Sequence, residues 1–325
     1  MNTSFSGHFK SHIESLIEQK RAIGYPYETS ARILKVFDVF CKTHYPDETV
    51  LTKEMAMHWA EQKQGEHVNY LARRITPIRQ LAKYMIGIGI EAYVIPPGIP
   101  RKQIRYVPHI YTDQELQAFF AETDRCRVSL YSPARHLVIP VFFRALYCCG
   151  LRPSEARLLN VDDVDLENGK LTIRQSKGNK DRIVMMSKDI LSLCRIYHTK
   201  VSQILPDRIG FFPNRDGRHY HISTIEHWFH LFWDKTEVAQ IGSGNRPRVH
   251  DFRHTFAVKR LNLWVKEGKD LNALLPYLSM YLGHAHLTET DYYLHFVPEF
   301  FPLFKEKTRE NCARLIPEVN YETGQ

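Results

Sequence analysis

Residues 249–261 read VHDFRHTFAVKRL, and this stretch decides how the rest of the chain is interpreted. It holds His250, Asp251, Arg253 and His254 within five positions. Two histidines four residues apart, with an acid after the first, are the pattern of a zinc-binding helix. A histidine and an arginine three residues apart lie one above the other on a helix and can together donate to one phosphate. The two interpretations predict different enzymes.

Three features of this stretch favour the phosphate interpretation. The acid is aspartate, one methylene shorter than the glutamate of the zinc pattern. Arg253 stands beside the second histidine, where its fixed positive charge opposes a dication. The chain has 17 histidines, so a chance pair at this spacing is expected. A zinc hydrolase remains the remote alternative.

The composition indicates a globular protein with a polyanionic partner. The 325 residues suffice for two domains, and the hydrophobic and charged fractions of 43% and 25% are ordinary. A net charge of +8 favours nucleic acid as the partner. The N-terminus shows no secretory signal, no apolar run is long enough to span a bilayer, and none of the six cysteines forms a CxxC pair. We therefore expect a cytoplasmic location and reduced thiols.

The sequence predicts a mainly α fold in two domains. Residues 1–93 read as four helices, the last of which carries LARRITPIRQLAKYM, and the proline-rich residues 94–109 read as a semi-extended linker. Residues 110–325 begin with a helix capped by Thr112 and Glu115. Turns at Asn168-Gly169 and Gly178-Asn179 then predict a small three-stranded antiparallel sheet. From about residue 222 the chain reads as helical again.

Several basic residues of the fourth helix and the linker are candidate DNA contacts, although a solvated helix face would carry the same residues. They are Arg73, Arg74, Arg79, Lys83, Arg101 and Lys102.

Arg152 is a candidate phosphate ligand, and Lys177 is a candidate nucleic-acid contact. In GLRPSEARLL, residues 150–159, Gly150 can end one helix and Pro153 can begin the next. Arg152 is then extended at a helix N-terminus, a place that attracts anions; the alternative is a salt bridge to Glu155. Lys177 lies at the tip of the predicted hairpin in RQSKGNKDR, where it could reach a nucleic-acid groove or simply face solvent.

Residues 281–295, YLGHAHLTETDYYLH, hold a candidate nucleophile. Tyr293 follows His284 by nine residues. A phenol with an ordinary pKa near 10 becomes a usable nucleophile only where cations stabilise the phenolate and the transition state. The alternative is a half-buried tyrosine of the core.

Taken together, these motifs resemble the tyrosine recombinase (phage integrase) family. GLRPSE, SKGNKDR, HDFRHTFA and an LGH followed nine residues later by tyrosine look like its signature boxes, in the same order. The resemblance covers the whole chain, because members place a helical, SAM-like core-binding domain before the catalytic domain. It implies a site-specific recombinase that cuts and rejoins DNA through a 3′-phosphotyrosyl intermediate, with no cofactor and no metal.

The resemblance also implies a role for each candidate. Arg152 and Arg253 match the arginines that neutralise the non-bridging oxygens, and Lys177 matches the acid that protonates the leaving 5′-oxygen. His250 would position the phosphate and handle the tyrosine proton, and His284 would hydrogen-bond the phosphate. Tyr293 matches the nucleophile in preference to Tyr292. Glu155 looks like an acid that supports the first arginine, and His254, His286 and His295 are expected to be supporting or incidental.

The subgroup and assembly are further expectations from the resemblance. The predicted helices begin near residue 6, which leaves no room for the arm-binding domain of λ-type integrases, and the spacer before LGH favours a recombinase carried on a mobile element over an Xer-like resolvase of chromosome or plasmid dimers. We expect a clamp around duplex DNA, two protomers per site and four in the synapse, with residues 299–325 docked on a neighbouring protomer. The rival functions are type IB topoisomerase-like relaxation of DNA and non-catalytic DNA binding.

Overall fold

The computed structural model describes residues 4–100, 106–176, 180–241 and 246–297. The chain divides into two compact units, Met1–Val107 and Pro108–Gln325. Four helices occur in the described part of the first unit: α1 (Lys10–Ala22), α2 (Glu28–His44), α3 (Lys53–Trp59) and α4 (Val68–Gly87). The sequence predicted four helices in this part of the chain, because the apolar spacing and the turn residues that mark them are local signals.

The core of the first unit consists of the apolar faces of these helices. Ile13, Leu34 and Phe37 are fully buried, and the ring of Phe37 packs edge-on against Trp59 at a centroid distance of 5.1 Å. The Thr52 hydroxyl accepts a hydrogen bond from the Met55 backbone N–H and so caps α3. Apolar residues three and four apart on α1 and α2 therefore form one buried layer.

Arg74 is a structural residue of this core, which corrects its assignment as a DNA contact. Its side chain is buried and forms two hydrogen bonds of 2.9 Å to the carboxylate of Glu66. It also donates to the backbone carbonyls of Trp59 and Glu61. Because these partners occupy the guanidinium inside the unit, we remove Arg74 from the DNA-contact set.

Arg79 is also engaged inside the first unit. Its Nε donates to the carbonyl of Ile95 at 2.8 Å, and its Nη2 donates to those of Pro96 and Ile99. Ile95 is fully buried. Residues 95–99, predicted as the start of an extended linker, therefore pack against the helices, and Arg79 holds them there. Arg73 and Lys83 are exposed, and Arg101 and Lys102 lie outside the described residues.

The second unit is mainly helical and contains one small sheet, as predicted. Strands β1 (Val164–Asp165), β2 (Lys170–Ser176) and β3 (Lys180–Met185) are antiparallel in the order β1-β2-β3, with Leu171 opposite Val184. In the described residues the helices are α5 (Asp113–Asp124), α6 (Arg135–Cys149), α7 (Pro153–Arg157), α8 (Lys188–Ile204), α9 (Ile222–Trp233), α10 (Glu237–Ile241), α11 (Asp251–Lys266), α12 (Leu271–Leu282) and α13 (Thr288–Asp291), with short 3-10 helices at Val161–Asp163 and Tyr292–Phe296. The expected capping box of α5 is present, with Thr112 and Glu115 exchanging hydrogen bonds. No helix in these ranges is both long and apolar enough to cross a membrane.

Helix α11 lies between two buried clusters of the second unit. Its Phe252 is in the larger cluster, where it stacks on Tyr111 at a centroid distance of 4.8 Å. Its Val258 and Leu261 belong to a second cluster that includes residues of α12 and Tyr293. Arg253 and His254 follow Phe252 directly, so burial on both sides of the helix fixes where these two side chains lie.

Replacing Arg74 tests its structural role, with Arg73 as a matched neighbour. We expect Arg74→Ala to destabilise α3 and α4 by about 3 kcal/mol, because it removes the cation paired with the Glu66 carboxylate and a donor to two backbone carbonyls. The exposed Arg73→Ala change should stay within about 0.5 kcal/mol. Hydrogen exchange of peptides from α3 and α4 measures both effects. Equal protection in the two variants would contradict the assignment.

Candidate active site

Arg152 lies where a left-handed turn joins two helices, as the sequence predicted. Helix α6 ends at Gly150, whose φ is 59°, and α7 begins with Pro153. Arg152 itself has extended backbone angles, φ −72° and ψ 145°. A Cβ on Gly150 would meet the Phe256 ring at 2.5 Å, so this position requires glycine for both its backbone angle and the space. The turn therefore fixes the direction in which Arg152 leaves the backbone.

Glu155 connects Arg152 with Arg182 of β3. Its carboxylate accepts a 2.7 Å hydrogen bond from Arg152 Nη1 and two, of 2.7 and 2.8 Å, from Arg182. Burial alone would raise the pKa of Glu155, but the hydrogen bonds and charges of Arg182 and Arg152 outweigh it and hold this pKa at about 2. The carboxylate is thus ionised and supports Arg152, so the salt bridge that the sequence allowed between these two residues is present.

Arg253 is almost completely buried, with only 1% of its surface exposed. Its Nη1 donates to the carbonyl of Gly150 at 2.8 Å, and its Nη2 donates to the carbonyl of Leu282. These carbonyls lie at the C-terminal ends of α6 and α12, where backbone dipoles favour a cation. Burial and the charge of Arg152 lower the pKa of Arg253 to about 10, so it remains cationic at neutral pH.

The same two helix ends also position Arg152. Its Nη2 donates to the carbonyl of Gly283 at 2.9 Å, and Gly283 ends α12 with a φ of 65°. A Cβ at Gly283 would approach the Arg182 side chain at 3.0 Å. Arg253 and Arg152 are therefore brought together because they bind consecutive carbonyl oxygens, those of Leu282 and Gly283, at the end of α12.

His250 and His254 are neutral histidines on the first turn of α11. Burial, together with the charges of Arg253 and Arg248, lowers the pKa of His250 to about 4. Burial, His250 and the nearby arginines lower that of His254 to about 3. Their rings contact each other edge-on at a centroid distance of 4.9 Å. At neutral pH each ring therefore carries one donor and one acceptor nitrogen.

Tyr293 is buried and its hydroxyl points into this cluster. The distance between Tyr293 Oη and His254 Nδ1 is 3.1 Å. Burial raises the pKa of Tyr293, and the charge and hydrogen bond of Arg253 only partly oppose that effect. Tyr292, the competing candidate, packs edge-on against Phe296 at 5.2 Å.

His284 joins the same cluster from the turn after α12. Its Nδ1 lies 2.7 Å from the Thr290 hydroxyl, and its ring stacks on Tyr293 with centroids 6.1 Å apart. The structure thus brings five of the six predicted residues together. They are Arg152, His250, Arg253, His284 and Tyr293. The sixth, Lys177, lies outside the described residues.

Two residues of the cluster were not assigned a role from the sequence. Arg182 is two residues before the buried Val184 on β3, and the twofold period of a strand places both on one face. That period was a usable signal for Arg182. His254 follows His250 by four residues and shares its helix face, but spacing alone does not show which histidine meets Tyr293.

The cluster is suited to an anion more than to a metal ion. Arg152, Arg182 and Arg253 outnumber the one carboxylate, Glu155, that pairs with two of them. In the described ranges, no group of three or more His, Cys, Asp and Glu side chains could hold a metal ion. Two arginines and neutral histidines around a buried hydroxyl can bind a phosphodiester and stabilise the charge that develops on it.

Comparisons with known proteins agree with this chemistry. Residues 111–299 match the model of the phage integrase family, which is more than half of the chain. A Sinorhizobium fredii protein named as integrase/recombinase y4rB is 28% identical over 312 residues, which are 93% of this chain and 96% of that protein. The tyrosine recombinase XerC of Chlamydia muridarum is 28% identical over 256 residues, 76% of this chain and 74% of its own.

A solved structure shows the same fold. The Tn1549 transposon integrase in complex with transposon right end DNA has a TM-score of 0.61 at 15% identity, covering 94% of this chain and 99% of that one. The chain belongs to the phage integrase family of tyrosine recombinases. It is accordingly a site-specific recombinase that acts on DNA.

Replacing Gly150 tests how closely the site depends on the end of α6, with Gly268 as a matched control. Both glycines have a positive φ, 59° and 66°, but a Cβ at Gly268 would meet open space. We expect Gly268→Ala to lower the free energy of unfolding by about 1 kcal/mol, from backbone strain alone. Gly150→Ala should lose about 1–3 kcal/mol more, because Phe256 must move.

Urea denaturation measures the two variants, and Phe256→Leu in the Gly150→Ala protein should recover part of the additional loss. If Gly150→Ala and Gly268→Ala lose equal stability, the contact with Phe256 does not constrain this turn.

Proposed function

We propose that Tyr293 is the nucleophile of this recombinase and that Arg152, Arg253, His250 and His284 hold the scissile phosphate. The observation that carries the proposal is the convergence of Arg152, Arg253 and Tyr293 at the carbonyl ends of α6 and α12. A phosphodiester placed there would meet two guanidinium groups and a phenol oxygen together. This is the arrangement that an in-line displacement at phosphorus needs.

The proposed reaction consists of two transesterifications. The Tyr293 oxygen attacks phosphorus and the bond from phosphorus to the 5′-oxygen breaks, which gives a 3′-phosphotyrosyl bond. Lys177 donates a proton to the leaving 5′-oxygen. A 5′-hydroxyl from a partner strand then attacks the phosphotyrosine and releases Tyr293. Arg152 and Arg253 neutralise the charge on the non-bridging oxygens, so the step proceeds without a metal ion.

The first unit and the assembly complete the proposal. The helical unit, with Arg73 and Lys83 exposed, would bind the phosphates of the core site, with Arg101 and Lys102 as further contacts. Two protomers would occupy each site and four the synapse. Integrating, excising or transposing a mobile element is the favoured outcome, in the cytoplasm at the nucleoid. The similarity to y4rB and to a transposon integrase supports this outcome, and the similarity to XerC leaves resolution of DNA dimers as the alternative.

Covalent trapping tests the nucleophile. Binding sites are first selected from random duplex DNA with the Tyr293→Phe protein. A nick placed just beyond the cleavage position then lets the short 5′-hydroxyl fragment diffuse away, so the covalent protein–DNA product accumulates. In excess EDTA we expect this product from the native protein and from Tyr292→Phe, and none from Tyr293→Phe. Tyr292→Phe is the matched control, since it removes the neighbouring hydroxyl.

Each other outcome has a distinct meaning. Loss of the product only in Tyr292→Phe would move the nucleophile by one residue. No product with EDTA, followed by strand cleavage on addition of zinc, would support a metal hydrolase. Relaxation of supercoiled plasmids that lack the selected site would support topoisomerase-like activity.

Residues 299–325 lie outside the described residues, and removing them tests the docking proposal. The segment FFPLF at 300–304 is apolar and would insert into a neighbouring protomer. We expect the deletion to abolish cooperative strand exchange between two sites while single-site cleavage persists. Replacing Phe300, Phe301, Leu303 and Phe304 by serine should have the same effect, and deleting only residues 317–325 should not. Reduced cleavage at a single site together with reduced stability would instead show that the segment packs on its own domain.

A further inference from the structure

The hydroxyl of Tyr293 requires a proton acceptor before it can attack phosphorus. The side chain is buried, and burial raises its pKa despite the nearby arginines. The tyrosine is therefore a neutral phenol at neutral pH, which is a weak nucleophile. The two arginines stabilise negative charge near the oxygen, but neither can accept a proton. A neutral base in contact with this oxygen would remove the obstacle.

His254 is in that position. Its Nδ1 lies 3.1 Å from Tyr293 Oη, within hydrogen-bonding distance for proton transfer. Their ring centroids are 5.5 Å apart. Proton acceptance requires the tautomer in which the ring proton lies on Nε2 and Nδ1 accepts the hydrogen bond of the phenol O–H. His250, to which the tyrosine proton was assigned by resemblance, contacts the ring of His254 edge-on.

We propose that His254 is a further catalytic residue of this recombinase, whose Nδ1 accepts the phenolic proton of Tyr293 as the tyrosine oxygen attacks the scissile phosphate. The proposal rests on Tyr293 being the nucleophile. The attack forms the O–P bond and gives an imidazolium at His254, while the P–O5′ bond breaks and Lys177 protonates the 5′-oxygen. In the second step the imidazolium returns its proton to the departing Tyr293 oxygen, and the Lys177 amine takes the proton of the attacking 5′-hydroxyl.

The charges around His254 affect how readily its ring accepts a proton. Burial, His250 and the arginines Arg248 and Arg253 all disfavour the imidazolium and lower the pKa of His254 to about 3. A bound phosphodiester brings negative charge next to these cations and so reduces the electrostatic part of this effect. The ring is therefore neutral but a weak base in the free protein, and a bound phosphodiester would make it more basic.

The closing experiment separates proton acceptance from a structural role by chemical rescue. His254→Asn keeps an oxygen near the position of Nδ1, so it can hold the phenol in place but cannot take its proton. On the nicked duplex described above, we expect single-turnover formation of the covalent product to slow about 100-fold, with DNA affinity unchanged. Replacing Tyr293 by 3,5-difluorotyrosine, a more acidic phenol, should restore at least about tenfold of this loss.

Two controls make the rescue specific. Lys177→Ala should not be rescued by difluorotyrosine, but it should be rescued by a duplex with sulfur at the bridging 5′ position, because a thiolate leaves without protonation. That duplex should not rescue His254→Asn. His286→Asn makes the same substitution at an exposed histidine after α12 and should react at the native rate.

The outcomes distinguish this inference from the proposed function. No covalent product from the native protein, or undiminished product from Tyr293→Phe, overturns the proposed function itself. If the native protein and His254→Asn form the covalent product at the same rate, the role of His254 is overturned and the proposed function stands. A slow His254→Asn protein that difluorotyrosine does not rescue overturns proton acceptance and leaves His254 as a positioning residue.

Discussion

The burial of one positive charge organises the catalytic unit. Arg253 is 1% exposed, and a guanidinium removed from water requires compensating partners. Those partners are the carbonyl oxygens of Gly150 and Leu282 at the ends of two different helices. Since α11 supplies the charge and α6 and α12 supply the oxygens, the C-terminal ends of α6 and α12 must lie beside the first turn of α11.

The same arrangement explains why the site is suited to a phosphodiester. Arg152 and Arg253 are close enough for the charge of one to lower the pKa of the other, so bringing them together is unfavourable until an anion arrives. Glu155 offsets part of the charge, but it is shared between Arg152 and Arg182. A phosphate would complete the compensation, and neutral histidines beside it leave an acceptor for the proton of Tyr293.

The basic residues of α4 show where local sequence is a poor guide to role. Arg73 and Arg74 are adjacent and chemically identical, yet one is exposed and the other is buried against Trp59 and Glu66. Consecutive side chains leave a helix about 100° apart, so Arg73 and Arg74 lie on different faces. Which face is covered depends on how α3 and the segment between α3 and α4 pack. Arg79 likewise donates to backbone carbonyls within residues 95–99, which the sequence indicated only as a proline-rich stretch.

The sequence by itself determined the helices, the turn at Asn168-Gly169 and the glycine that ends α6, because apolar periodicity, capping residues and left-handed positions are properties of neighbouring residues. It also determined the candidate site residues through the order of their motifs. Only the tertiary structure decided that Arg182 and Glu155 share an ion pair and that His254, and not His250, meets the hydroxyl of Tyr293. These pairs join residues 27 and 39 positions apart in the chain, and such contacts depend on how helices and strands pack, which no local pattern encodes.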